Sequence, residues 1–272
     1  MTRTTLFSPA AILAVSLTGA LIAIPSYSLA ATGASPAAWA QQDNPATSQA
    51  ADRLKKSQFK DVKVDVQNGI ATLTGTVSLY EYKADAEKRV RKAKGVEGVR
   101  NQIQVSGPGI SDSDLKAKLA EKLAYDRVGY GNTFNAIGID VQNGVVTLGG
   151  HARTDVDKDS AVALVSTYPG VKDVVDEIEV DPVSITDDQA RLQVARAIYG
   201  YPSLNKYAID PAKPIRISVQ NGRVELYGVV DSEADKELAF IRANQVPGIF
   251  SVKNYLQVAG QPAEKPNGQA QK

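Results

Sequence analysis

Val64-Asp-Val-Gln-Asn-Gly-Ile-Ala-Thr-Leu-Thr-Gly75 decides the fold, because the chain writes it three times. It recurs as Ile139-Asp-Val-Gln-Asn-Gly-Val-Val-Thr-Leu-Gly-Gly150 and as Ile217-Ser-Val-Gln-Asn-Gly-Arg-Val-Glu-Leu-Tyr-Gly228. Asn-Gly between two alternating runs is a hairpin signal, since a type I′ turn needs φ > 0 at both central residues. With Asn68-Gly69 in that turn, Gln67 pairs with Ile70, Val66 with Ala71, Asp65 with Thr72 and Val64 with Leu73. Side chains alternate along a strand, so Val64, Val66, Ala71 and Leu73 share one face. The second copy puts Ile139, Val141, Val146 and Leu148 there, and the third Ile217, Val219, Val224 and Leu226. All are apolar, while the opposite face is mostly polar. A slip of one residue would exchange the faces, so the register is well specified.

Outward from the hairpins the spacing stays rigid. Gly75, Gly150 and Gly228 are each followed at one fixed distance by Gly95, Gly170 and Gly248, and then by Val105, Val180 and Val258. Repeats without insertion or deletion across these stretches mark one unit used three times. An apolar sheet face needs a cover, and helices supply it. Segments near 79–94, 154–168 and 232–246 carry apolar residues at helical spacing: Ala86, Val90 and Ala93; Ala161, Leu164 and Tyr168; Ala234, Leu238 and Ile241. A third strand follows each, at Val99 to Val105, Val174 to Val180 and Val252 to Val258. A helix also precedes the second and third hairpins. Leu115, Leu119 and Leu123 follow Ser111-x-x-Asp114, and Val194 and Ile198 follow Thr186-x-x-Gln189, which reads as a capping box. The first copy's equivalent, roughly 47–58 with Leu54, is weaker.

The expected fold class is therefore α+β: three tandem α-β-β-α-β modules, each a three-stranded sheet covered on one face by two helices. The modules are expected at 48–106, 111–181 and 186–259, with a disordered tail at 260–272. Asn68, Gly69, Asn143, Gly144, Asn221 and Gly222 are assigned to the turns. Gly95, Gly170 and Gly248 are assigned to helix C-terminal caps, and Gly75, Gly150 and Gly228 to close helix–sheet approach.

The order of elements, the Val-x-Asn-Gly-x-Val-x-Leu-x-Gly core and the later Gly95-Val96, Gly170-Val171 and Gly248-Ile249 resemble the BON (bacterial OsmY and nodulation) domain. The resemblance implies an envelope protein, usually periplasmic, that associates with phospholipid and supports membrane integrity or stress tolerance. Asp176 departs from the pattern, standing where Asn101 and Asn254 stand in the other copies. Copies two and three also carry insertions before their hairpins. These departures argue against equal function of the copies.

The rest of the chain agrees with an exported globular protein. Hydrophobic residues are 43% and charged residues 22% of 272. Arg3 is the only charge before Asp43, and Ala10 to Ile24 is an apolar run too short to span a bilayer comfortably. Residues 1–40 are read as a cleaved signal peptide. Cleavage after Ala38-Trp39-Ala40 is preferred to cleavage after Ser28-Leu29-Ala30, because Gln41-Gln42-Asp43 suits a mature start. The alternative is an uncleaved membrane anchor. With no cysteine, neither disulfides, thiolate metal sites nor a lipoprotein anchor are available. Charge is uneven along the chain: +4 over 41–107, −6 over 108–181 and +2 over 182–272.

No catalytic, cofactor-binding or metal-binding residue is assigned. His151 is the only histidine, and no second histidine or cysteine can complete a site with it. Asp155-x-Asp157-x-Asp159 imitates an EF-hand loop but has Ser160 where glycine and Ser166 where glutamate belong. Acidic residues opening a helix explain it better. Two groups are candidates for an anionic phospholipid surface. One is Lys83, Lys88, Arg89, Arg91, Lys92 and Lys94. The other lies in the insertions: Tyr130, Phe134, Tyr201, Lys206 and Tyr207, with Tyr125 and Tyr199 nearby. Those aromatics suit a membrane interface and, somewhat better, packing between modules. Envelope proteins are the alternative partners, through a scaffold or chaperone-like role. Nucleic acid is not expected for an exported chain of balanced charge.

Overall fold

The three hairpin Asn-Gly pairs adopt the left-handed backbone that a type I′ turn demands. Asn68, Asn143 and Asn221 have φ of 50°, 55° and 51°, and the following glycines 77°, 79° and 70°. The computed structural model describes residues 44–127 and 131–261. The expected signal peptide with Trp39, Tyr130 and the tail beyond Gln261 lie outside the described residues.

Each turn joins an antiparallel pair in the expected register: β1 (Val62–Gln67) with β2 (Ile70–Val77), β5 (Ala136–Gln142) with β6 (Val145–Ala152), and β8 (Arg216–Gln220) with β9 (Arg223–Val230). A helix then carries the chain back, so the third strand lies parallel to the second. These returning strands are β7 (Asp173–Val180) and β10 (Ser251–Val258) in the later copies. In the first copy the strand is broken into β3 (Gly98–Asn101) and β4 (Gln104–Val105), both pairing β2. The break falls where Asn101 turns its side chain to accept from the Ile103 N–H and to donate to the Lys83 carbonyl at 3.0 Å. Asn254 makes the same two bonds, to Leu256 and Lys236, without breaking β10.

The first helix of each copy is α1 (Pro45–Asp52), α3 (Asp112–Tyr125) or α5 (Ile185–Tyr199). Their N-termini grip the hairpin. Thr47 accepts from the Val66 N–H, Asp112 accepts from Asn143 and Gly144, and Asp187 accepts from Asn221 and Gly222. α1 is shorter than expected and is followed by a 3₁₀ turn at Ser57–Phe59 that buries Phe59 beside Leu54. Ser111 caps α3 as expected, but α5 is capped by Ser184, whose hydroxyl accepts from the Asp187 N–H at 3.2 Å. Thr186 is therefore inside the helix, and the Thr186–Gln189 capping box does not form.

The second helices are α2 (Tyr80–Val90), α4 (Asp155–Ser166) and α6 (Glu233–Asn244). Ala86 and Val90 are buried in α2, and in α4 Ala161 is buried with Val165 in place of the expected Leu164, which like Tyr168 is only half-buried. In α6 the buried stripe is Ala239 and Ala243, continued by Val246 past its end, not the expected Ala234, Leu238 and Ile241. Ala234 and Ile241 are exposed and Leu238 only half-buried. The repeat offset, rather than the local apolar residues, carries that face.

Two glycine roles also differ from expectation. Gly75 and Gly150 have φ of 114° and 94°, and a Cβ on either would lie 2.0 or 2.1 Å from the Asp61 or Ala136 carbonyl oxygen. The close approach is to the start of the neighbouring strand, not to a helix. Gly170 follows α4 by a full turn of chain. The Val96, Val171 and Ile249 N–H groups donate to the Ala93, Tyr168 and Val246 carbonyls, so Gly95, Gly170 and Gly248 each take the third position of a type II turn beyond the helix and do not cap its end.

Three separate cores result, one per copy. Leu73, Leu148 and Leu226 sit at their centres with no exposed surface. Burying each such side chain contributes roughly 1.5–3 kcal/mol.

Candidate functional site

The basic residues of the first module fall into two sets. Lys83 is tied down: its Nζ lies 3.0 Å from Asp173 Oδ2 in the second module. Arg89 pairs with Asp85 at 2.8 Å and stacks over Phe59, and Arg91 pairs with Glu87 at 2.5 Å. Lys88, Lys92 and Lys94 are exposed and have no ion-pair partner among the described residues. The reason is geometric, since the acidic residues of α2 at Asp85 and Glu87 stand four residues before the two arginines and are occupied by them. Between α2 and the start of β7 an open groove of about 550 Å³ is lined by Tyr80, Lys83, Glu87, Lys88, Arg91 and Asp173.

The aromatic set is drawn mostly into the protein. Tyr207 is 4% exposed, donates to Asp235 Oδ2 at 2.8 Å and accepts from the Asp231 N–H. Lys206 bridges Asp231 and Asp235 at 2.7 and 2.9 Å, and those two bonds raise its ammonium pKa. Phe134 packs against the core of the third module. Tyr125 donates across the same boundary to Asp210 at 3.0 Å. Tyr201 keeps part of its ring in solvent, under the Arg242 guanidinium. Lys206, Tyr207 and Phe134 thus have little left to offer a lipid surface.

Sequence reasoning did not find the residues that join the second module to the third. Asp181, just past β7, is 2% exposed and accepts from Arg191 Nη2 at 2.8 Å and from Gln220 Nε2 at 2.7 Å. Arg191 on α5 also reaches the Val219 carbonyl and Asp188. His151 on β6 stands beside them, its Nδ1 3.2 Å from Gln220 Nε2 and 3.6 Å from Asp181 Oδ1. A signal was present. Asp65 and Asp140 occupy one place in the first two hairpins, but Ser218 occupies it in the third. Lys116 on α3 pairs with Asp140, whereas Arg191, its counterpart, takes Asp181 from the preceding module.

The acidic run Asp155, Asp157 and Asp159 opens α4, with the Thr154 hydroxyl donating to Asp157. Among the described residues no group of three or more His, Cys, Asp or Glu side chains is placed to hold a metal. Nor is any helix there long and apolar enough to cross a membrane.

A chain with three such modules is a BON protein: the BON domain matches residues 42–107, 111–182 and 186–260, and the chain belongs to that family. It is similar to Osmotically-inducible protein Y of Escherichia coli (strain K12), 26% identical over 192 residues that cover 68% of this chain and 91% of that protein. Among solved structures it is similar to the C-terminal domain of CdsD, the structural protein of the type III secretion system of Chlamydia trachomatis. That match has 15% identity, covers 78% of this chain and 96% of the other, and has a TM-score of 0.21. The periplasmic domain of the type III secretion inner membrane protein PrgH from S. typhimurium matches at 11% identity, covering 76% and 97%, with a TM-score of 0.18.

Proposed function

We propose that the protein is a periplasmic envelope protein that associates with anionic phospholipid surfaces, without turnover, and supports the envelope under osmotic or related stress. The observation that carries this reading is the unpaired, exposed set Lys88, Lys92 and Lys94 on one end of the first module. Near an anionic bilayer each such cation contributes about 1 kcal/mol, and the contribution falls within a Debye length. Membership of the BON family, the resemblance to an osmotically inducible protein and the leader expected at residues 1–40 support the location and the stress role. The test is co-sedimentation with vesicles containing phosphatidylglycerol. Binding that weakens as salt rises supports the reading, and equal pelleting with and without vesicles refutes it.

A second reading, a scaffold or chaperone-like role toward envelope proteins, is favoured by one feature of the third module. Phe250 is 82% exposed beside a groove of about 540 Å³ lined by Ser184, Thr186, Gln189, Ala190 and Pro247. Glu97 and Lys172 hold the equivalent place in the other copies, over Gly69 and Gly144, so an exposed aromatic there is particular to copy three. The groove holds no lysine or arginine, and the one acid in its lining, Asp187, is engaged with Asn221 and Gly222. Capture of an unfolded envelope protein that survives in lipid-free buffer and is lost in Phe250→Ser would favour this second reading.

A further inference from the structure

We propose that His151 makes the junction between the second and third modules an acid-sensitive latch, closed when its imidazole is neutral and loosened when it is protonated. The junction converges on Asp181, which takes hydrogen bonds from two residues of the third module, Arg191 and Gln220. Gln220 Nε2 carries only donors, and Asp181 fixes which end of that amide faces inward. The same nitrogen lies 3.2 Å from His151 Nδ1. That contact is a hydrogen bond only if Nδ1 is unprotonated, so the closed junction uses neutral histidine as an acceptor across the boundary. Histidine is the side chain whose ordinary titration falls between pH 5 and 8.

Protonation reverses the chemistry at this point. An Nδ1–H would face the one Gln220 amide hydrogen that is not donated to Asp181. Its nearest acceptor would be Asp181 Oδ1 at 3.6 Å, the oxygen that Gln220 already uses. The imidazolium would therefore compete for Asp181 from within its own module and weaken a bond that crosses the boundary.

The surrounding charges do not compensate. From β7, Glu179 approaches at 4.0 Å but is 78% exposed, where an ion pair gains little. From α5, Arg191 already neutralises Asp181. From β9 and β10, Glu225 is paired with Lys253 at 3.1 Å, and Arg223 adds a further positive charge. A cavity of about 190 Å³ bounded by His151, Ser218, Gln220, Arg223, Glu225 and Lys253 leaves Gln220 room to move and water room to enter. The other copies have Thr76 and Val229 where His151 stands, so the latch belongs to this one junction. Only a protein whose surroundings acidify would use it, and the latch needs no lipid.

The test uses the full chain, which contains no cysteine, with spin labels at Lys172→Cys and Glu237→Cys. Distance distributions are measured at pH 7.5 and 5.5. The expected result is a narrow distribution at pH 7.5 and about a fivefold larger displaced population at pH 5.5, the change that losing one neutral hydrogen bond produces. His151→Gln keeps an acceptor but cannot titrate, and should give one distribution at both pH values. His151→Arg fixes the charge and should be displaced already at pH 7.5. An unchanged wild-type distribution overturns the proposal, and so does an equal shift in His151→Gln. Should His151→Arg fail to fold, the comparison of wild type with His151→Gln decides alone.

Discussion

Asp176 and Lys158 form an ion pair at 3.0 Å in the second module, at the place where the other two modules use a side-chain amide. Asn101 and Asn254 donate to the backbone carbonyls of Lys83 and Lys236, the residues equivalent to Lys158. A carboxylate has no N–H to donate, so Asp176 holds the same turn of helix through the lysine side chain. It still accepts from the Ile178 N–H, as the asparagines accept from Ile103 and Leu256. The departure from the repeat is thus a change of partner atom that leaves the architecture intact. Asn254→Ala removes both bonds and should destabilise the third module by about 1–3 kcal/mol. Asp176→Asn can regain the helix carbonyl and should change stability by less than about 1 kcal/mol. Urea unfolding of the two variants compares them directly.

Gly150 and Gly248 separate steric from conformational need. Both have positive φ, but a Cβ on Gly150 would lie 2.1 Å from the Ala136 carbonyl oxygen, while one on Gly248 would meet nothing within 4 Å. Gly248→Ala should cost about 1–2 kcal/mol for the left-handed backbone alone. Gly150→Ala must also push β5 away from β6, and should unfold the second module or lower its transition midpoint by clearly more. Equal effects in thermal unfolding would show that the strand contact is unimportant.

The Asp181–Arg191 pair should behave as a buried charge pair. Arg191 is 3% exposed, and its removal leaves Asp181 buried with one fewer donor. Arg191→Met should cost about 3–5 kcal/mol. Combining it with Asp181→Leu should recover part of that loss, because no charge is then stranded. A double variant that loses the sum of the two single losses in urea would contradict a direct interaction.

Burial pushes the Tyr199 hydroxyl up to about 12, and its Oη donates to the Ile215 carbonyl at 2.5 Å. An unfolded tyrosine titrates near 10, so the folded state holds this proton to higher pH. The stability from Tyr199 is then fully present below about pH 10 and is lost as pH rises through about 12. Tyr199→Phe should make the decline in urea midpoint between pH 9 and 12 shallower than in wild type. Parallel declines would assign the alkaline loss to other groups.

The hairpins were legible because Asn-Gly imposes its turn and the apolar alternation then fixes every pair from Val62 to Gly75. Most helix faces were legible from local spacing, as at Ala86, Val90, Leu115, Leu119, Val194 and Ile198, and the face of α6 only through the repeat. Read locally, α6 offers Leu238 and Ile241, yet small residues at Ala239 and Ala243 let the helix lie close to the sheet. The junctions were largely hidden. Asp181 and Arg191 lie on opposite sides of a module boundary, and no periodicity connects them. What the sequence did carry was an omission, Ser218 in place of the acid found at Asp65 and Asp140. The unpaired lysines were half-legible: six basic residues stand together in sequence, but which are spent on Asp85, Glu87 and Asp173 depends on packing.

The central claim is that exposed cations on the first module hold the protein to anionic lipid. It is tested most directly by vesicle binding of a Lys88→Glu, Lys92→Glu, Lys94→Glu variant beside wild type, at low salt and on phosphatidylglycerol vesicles. Three reversals at about 1 kcal/mol per charge predict a loss of at least a hundredfold in affinity, with the fold unchanged by circular dichroism. Affinity equal to wild type in a folded variant would contradict the account.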